Sequence, residues 1–179
     1  MIDNEIYAIT VSNKLDREEM KYIINSCNKQ KNKLNIIGLN RPFDWIKRLQ
    51  YYIEELERLD SISTNSIAVL TDAYDVFYTD TLNNIKHKFI QMDADIVFSC
   101  ERWYSHQIES IKIKHDDNAK LYGSGSQYRY VCAGCYIGYI KPLITFLKSI
   151  LDEQFIEKVS SLGGEKYFKL GLDQCLMGY

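Results

Sequence analysis

Residues Ile67–Tyr78 read IAVLTDAYDVFY, an apolar run followed by two aspartates set three residues apart around a tyrosine. The apolar part has the composition of a strand buried on both faces, and it ends on Asp72 and Asp75. In an open α/β sheet, ligands sit beyond the carboxyl ends of the strands, so carboxylates at that position face a ligand. Carboxylate oxygens suit Mn²⁺ or Mg²⁺, which commonly bridge one or two protein carboxylates to the phosphates of a nucleotide. A cation there would screen a diphosphate leaving group as a Lewis acid. The alternative is that Asp72 and Asp75 only close a turn through local hydrogen bonds.

The flanking sequence supplies the sheet. EIYAITV (Glu5–Val11) is β-branched and aromatic, and the segment after it carries Leu15, Met20, Ile23, Ile24 and Cys27 at helical spacing. KLNIIGL repeats the strand signal, and PFDWIKRLQYYIEELERL repeats the helix signal with Pro42 near its start, where no amide hydrogen bond is needed. A third helix is expected from about Thr81 and a fourth strand at DIVFSC. Strands alternating with helices predict a mainly parallel, Rossmann-type sheet flanked by helices in a single α/β domain. From Glu101 to Gln127 the pattern dissolves into polar sequence and reads as a long surface loop, before the β-rich YRYVCAGCYIGYI. KPLITFLKSILDEQFIEKV reads as one last helix, with a short helical end at EKYFKLGLDQCLMGY.

A chain of 179 residues with 46% hydrophobic and 26% charged residues suits one globular domain. The net charge of -2 and the lack of a long basic run argue against nucleic acid or an anionic membrane as partner. No apolar run approaches the ~20 residues of a membrane span. The N-terminus carries acids where an export signal carries bases, and the five scattered cysteines suit a reducing compartment; both lead to a cytoplasmic expectation.

Other constellations read as structural. Asp93 and Asp95 lie before the fourth strand, at the wrong edge of the sheet. Cys132 and Cys135 have zinc-like spacing without a second pair, and read as buried strand residues. His87 falls on a helix face, His106 and His115 in the polar loop, and GSGS (Gly123–Ser126) joins no strand to a helix, so it reads as a flexible loop. Trp103, near Glu101 just past the fourth strand, is either carbohydrate-facing or ordinary packing.

Separated motifs agree in order and spacing with one family. YAITVSN, NIIGL, DWIKRLQYYIEEL, VLTDAYDVFY, DIVFSCERW, YRYVCAGCYIGY and LDQCLMGY run along nearly the whole chain. It resembles the glycosyltransferase domain of the procollagen lysyl hydroxylase family, with a GT-A-like fold. The resemblance implies transfer of a hexose from a UDP-sugar with a divalent metal, Mn²⁺ or Mg²⁺, to an acceptor hydroxyl, such as hydroxylysine or galactosyl-hydroxylysine of a collagen-like chain. Asp72 and Asp75 look like the metal ligands, Thr10 and Tyr74 like nucleotide contacts, Glu101 and Trp103 like acceptor-side residues, and Asp173 like the last acid of an Asp-Asp-Gln motif near the transferred sugar; Asp173 and Glu101 are the expected catalytic residues, acting near the acceptor hydroxyl. Gly134 falls at the sugar-contacting segment, where Cys132 and Ala133 replace the family's Asn and Ser. Leu172 replaces the first acid of the Asp-Asp-Gln motif, and Arg41 is the candidate to replace the positive charge of a shortened lysine-containing segment. The family's third metal ligand is a histidine beyond the last motif, so a C-terminally incomplete domain over residues 1–179 is expected. These departures support the alternative of a catalytically inactive, nucleotide-sugar-binding remnant. The bias toward Ile, Asn, Lys and Tyr suits an AT-rich genome, and the expected lack of an export signal suits an agent working in cytoplasm, such as a large virus.

Overall fold

The computed structural model describes residues 4–63, 65–104, 108–121, 125–163 and 172–178. In chain order the elements are β1 (Ile6–Val11), α1 (Met20–Lys29), β2 (Leu34–Ile37), α2 (Trp45–Asp60), β3 (Ile67–Thr71), α3 (Leu82–Gln91), β4 (Ile96–Glu101), α4 (Glu109–Leu121), β5 (Tyr130–Tyr139), α5 (Ile140–Ile150), α6 (Glu153–Gly163) and α7 (Leu172–Gly178). The five strands form one sheet in the order β2-β1-β3-β5-β4. β1 pairs in parallel with β2 and β3, and β5 runs antiparallel to both β3 and β4. The sheet is therefore mostly parallel in strand direction, with β5 reversed between two strands that share a direction.

β3 explains the apolar run. Its alternating residues serve two cores: Ala68 and Leu70 pack with Leu49, Tyr52, Leu56, Leu143 and Leu147 of α2 and α5, whereas Val69 packs with Met20, Ile23 and Cys27 of α1. A strand covered on both faces cannot alternate apolar with polar, so its sequence is continuous. Burying each Leu or Ile of this kind contributes about 1.5–3 kcal/mol.

Caps set the helix boundaries. The Asp44 carboxylate accepts from the Lys47 amide at 2.7 Å and opens α2, and the Thr81 hydroxyl accepts from the Asn84 amide at 3.3 Å and opens α3. Gly38, at φ +82°, turns the chain out of β2 where a Cβ would meet Tyr51 and Val11 at 3.1 and 3.2 Å.

Two boundaries differ from the sequence reading. KPLITFLKSILDEQFIEKV is two helices, because α5 ends at Ile150 and the Asp152 carboxylate caps the next by accepting from the Phe155 amide at 3.1 Å. The expected long loop contains α4, whose buried side includes Ile111 and His115. A histidine on the buried stripe hides the helical period. His115 sits against the rings of Tyr104 and Tyr130, at 6.2 and 5.8 Å between centroids, and burial lowers its pKa. His87 is exposed on α3, while His106 and residues 122–124 of the glycine-rich segment lie outside the described residues. No helix among the described residues is long and apolar enough to cross a membrane.

Candidate active site

The last residue of β3 starts the site. Its carbonyl, at Thr71, accepts from the Thr10 hydroxyl at 2.8 Å and from the Tyr52 hydroxyl at 2.9 Å. Two donors on one carbonyl fix the strand end, and the next residue, Asp72, leaves the sheet from a held position. The sequence reading puts Thr10 at the nucleotide, but it is fully buried and its hydroxyl is committed to this bond. Ser12, two residues on, is also buried, and its hydroxyl links the end of β1 to Tyr74.

The Ser12 hydroxyl donates to the Lys14 carbonyl at 2.6 Å and lies 3.0 Å from the Tyr74 hydroxyl. Since Ser12 has one proton, Tyr74 is the donor of the second bond. The Arg17 guanidinium sits 4.4 Å from the centroid of the Tyr74 ring. A cavity of about 550 Å³ lined by Asn13, Lys14, Asp16, Arg17 and Phe43 opens beside this ring. Arg41 does not supply the positive charge expected of it: it binds Glu54 with both guanidinium nitrogens, at 2.6 and 3.1 Å, and stacks on Tyr51.

Asp72 lies at the centre. One oxygen, Oδ1, meets Nη2 of Arg48 at 2.6 Å. The other, Oδ2, lies over Gly134, where a Cβ would approach it to 2.8 Å. Asp75 is exposed three residues on, and its charge is felt at Asp72. Burial raises the Asp72 carboxyl above its ordinary value of 3.8; Arg48 offsets part of that rise and Asp75 adds to it. Two carboxylates, one with an oxygen that has no hydrogen-bond or ion-pair partner among the described residues, fit a hard divalent cation that takes its remaining ligands from phosphate and water. Among the described residues no group of three or more His, Cys, Asp or Glu side chains forms a complete metal cage.

Gly134 reaches Asp72 because β5 bulges. Phe98 of β4 pairs with Tyr136 and Ser99 with Cys132, so Ala133, Gly134 and Cys135 have no partners on β4. The Ser99 hydroxyl spans the bulge, 2.7 Å from the Cys135 carbonyl and 3.3 Å from that of Cys132. On the other side the Asp72 amide donates to the Gly134 carbonyl at 2.8 Å. The small residues in VCAGC are the available signal for a bulge at this point. Cys132 and Cys135 are free, half-buried thiols, and burial raises both, Cys135 to about 11, so they remain protonated at neutral pH.

Arg48 is a site residue that the sequence reading misses. It lies on the apolar stripe of α2, four residues before Tyr52, and a charge on that stripe is the signal. It is 4% exposed, with Nη1 3.0 Å from Oδ2 of Asp173 and Nη2 3.3 Å from the Ala133 carbonyl. Burial works against its charge, yet Tyr52 and the carboxylates of Asp173 and Asp72 outweigh it and hold the guanidinium above its ordinary pKa. Asp173, expected next to an acceptor hydroxyl, is instead 2% exposed and paired with Arg48. Glu101, at the end of β4, is half-buried, and its carboxylate lies 3.5 Å from the side-chain amide of Gln174. Trp103 is not packed: it is 73% exposed, with the Arg102 guanidinium 5.1 Å from its ring centroid. Asp93 and Asp95 lie at the opposite edge, where the Asp95 carbonyl accepts from the Tyr139 amide at 3.0 Å.

Residues 2–156 match the family described as PLOD GT domain. Over 111 residues, 60% of this chain, the sequence is 32% identical to Procollagen-lysine,2-oxoglutarate 5-dioxygenase of Drosophila melanogaster, and the match spans 15% of that protein's length. The apo crystal structure of mouse xyloside xylosyltransferase 1 superposes with a TM-score of 0.52 at 7% identity, covering 98% of this chain and 80% of that one. The apo structure of the WbbM bifunctional glycosyltransferase aligns with a TM-score of 0.48 at 12% identity, covering 98% and 37%.

Proposed function

The chain belongs to the PLOD GT domain family, a glycosyltransferase domain on a GT-A-type fold, and from that membership we propose that it transfers a hexose from a UDP-sugar to an acceptor hydroxyl. The observation that carries this reading is the pair Asp72 and Asp75 at the carboxyl end of β3, with Oδ2 of Asp72 free of ion pairs among the described residues and Tyr74 anchored to Ser12 beside them. A divalent cation held by Asp72 and Asp75 supplies Lewis-acid screening of the diphosphate leaving group. Tyr74, held by its hydrogen bond to Ser12, orients the nucleotide, and Lys14 and Arg17 bring positive charge to the same opening. Glu101 receives the proton of the acceptor hydroxyl as its oxygen bonds to the anomeric carbon and the bond from that carbon to the diphosphate breaks. Such general-base assistance is worth about 10²–10⁴-fold. Trp103 offers an apolar face to the acceptor, which is a hydroxyl-bearing group such as hydroxylysine in a collagen-like chain.

The test is release of UDP from UDP-glucose or UDP-galactose in the presence of Mn²⁺, with a hexose mass gain on a hydroxylysine-bearing peptide. Calorimetric titration of UDP with and without Mn²⁺ accompanies it. Metal-dependent UDP binding with no transfer to any acceptor supports the inactive, sugar-nucleotide-binding alternative. Absence of UDP binding overturns both.

A further inference from the structure

We propose that Arg48 is a positioning residue that clamps the metal-side carboxylate of Asp72 and the helix α7 into one fixed geometry. The inference rests on the transferase reading above and adds to it the part that joins the donor side to the acceptor side. A guanidinium 4% exposed to solvent gives up strong hydration, and apolar residues of similar volume commonly replace buried ion pairs without loss of stability. Stability alone is therefore a poor reason to keep an arginine on the inner stripe of α2. Its contacts supply a better one. Nη2 touches Oδ1 of Asp72 at 2.6 Å and the Ala133 carbonyl at 3.3 Å, while Nη1 touches Asp173 at 3.0 Å.

Those partners come from the end of β3, the bulge of β5 and α7, three segments distant in sequence. The planar fork of an arginine can hold all three, whereas a lysine can act only as a point charge. With Oδ1 held by Arg48 and Oδ2 over Gly134, the Asp72 carboxylate is kept from turning, and Oδ2 is the oxygen left without an ion pair among the described residues. Asp173 in turn seats the first turn of α7, where its Oδ1 accepts from the Gln174 amide at 2.9 Å. The Gln174 side chain then lies 3.5 Å from Glu101. One cation thus sets the distance between the cation-facing oxygen and the carboxylate that faces the acceptor.

The experiment compares the parent chain with Arg48→Met, Arg48→Lys and Asp173→Asn. Three readouts are taken: hydrogen exchange of α7 against α5, Mn²⁺ affinity from the electron paramagnetic resonance signal of the free ion, and kcat and KM for a UDP-sugar. In Arg48→Met we expect α7 amides to exchange at least ~10-fold faster with α5 unchanged, and kcat to fall ~100-fold, the scale of a misplacement near 1 Å. Mn²⁺ affinity is kept or improved, because a positive charge beside Asp72 is gone. Arg48→Lys regains part of kcat. Parent-like α7 exchange together with parent-like kcat in Arg48→Met overturns the proposal.

If Arg48→Met does not fold, Asp173→Asn decides: it leaves the Arg48–Asp72 contact intact, so faster α7 exchange with unchanged Mn²⁺ affinity supports the clamp, and unchanged exchange overturns it. Should the parent transfer no sugar, the transferase reading fails while the exchange and Mn²⁺ measurements still decide the clamp.

Discussion

The two sides of the carboxyl edge are held by different means. On the β1–β3 side the ladder is in register to its end, Thr10 opposite Thr71, and the final carbonyl takes two buried hydroxyl donors. On the β4–β5 side the ladder breaks at Phe98/Ser99, and the bulge is spanned by one serine hydroxyl and braced by side chains from α2 and α7. The residues we propose for the donor inherit their places from parallel strand pairing, which tolerates few alternatives. Those we propose for the acceptor inherit theirs from a bulge and a buried charge network, in which single substitutions count for more.

That contrast is sharpest at Asp75, which is exposed and bears no structural load among the described residues. Asp75→Asn is expected to lower kcat/KM about 10³-fold, since losing several kcal/mol of Lewis-acid stabilisation costs a decade per ~1.4 kcal/mol. Its thermal midpoint should match the parent, as for surface substitutions within about 0.5 kcal/mol. Kinetics beside a melting curve check both halves; a parent-like rate would remove Asp75 from the metal site.

The next effect crosses between the two sides. Gly134→Ala places a Cβ 2.8 Å from Oδ2 of Asp72, below any ordinary contact, so either the carboxylate or the bulge must move. Turnover is expected to fall about 100-fold with the donor KM little changed, as for a shift near 1 Å at the reacting centre. Ala133, adjacent and buried, meets Arg48 through its carbonyl rather than its side chain in the one hydrogen bond they share, so Ala133→Ser is the milder control.

A smaller effect isolates the acceptor side. Trp103→Ala should leave stability and donor KM unchanged, because the ring is 73% exposed. Acceptor KM should rise about tenfold, a loss near 1.4 kcal/mol. Equal acceptor kinetics in the variant would return Trp103 to the status of an unused surface residue.

The same division governs how much was legible in the sequence. β1, β2, β3 and the aspartates at the end of β3 announce themselves, because a strand buried on both faces must be apolar throughout and must become polar where it leaves the core. α4 does not, since its inner face includes His115 and the apolar spacing is broken there. Asp173 reads as an acceptor-side acid because sequence order gives no measure of burial; the pairing with Arg48, 125 positions away, is visible only in three dimensions. Thr10 reads as a nucleotide contact for the same reason, since a place at a strand end gives no measure of burial or of a hydroxyl already taken by the Thr71 carbonyl.

The smallest expected effect is thermodynamic and tests whether Asp72 belongs more to the core or to a cation. Burial raises its carboxyl above 3.8, so the folded chain keeps that proton to a higher pH than the unfolded chain does. Over the interval from 3.8 up to the raised value the folded state therefore binds more protons, and this group's contribution to stability falls as pH rises. Asp72→Asn removes that part of the slope. Saturating Mn²⁺ reverses it, because the cation competes with the proton and binds only the folded, ionised carboxylate, so added stability grows with pH through the same interval. Urea melts from about pH 4 to pH 7, with and without Mn²⁺, read out the two slopes. If the metal leaves the parent's slope unchanged, Arg48 alone satisfies Asp72, and the donor side is structural rather than chemical.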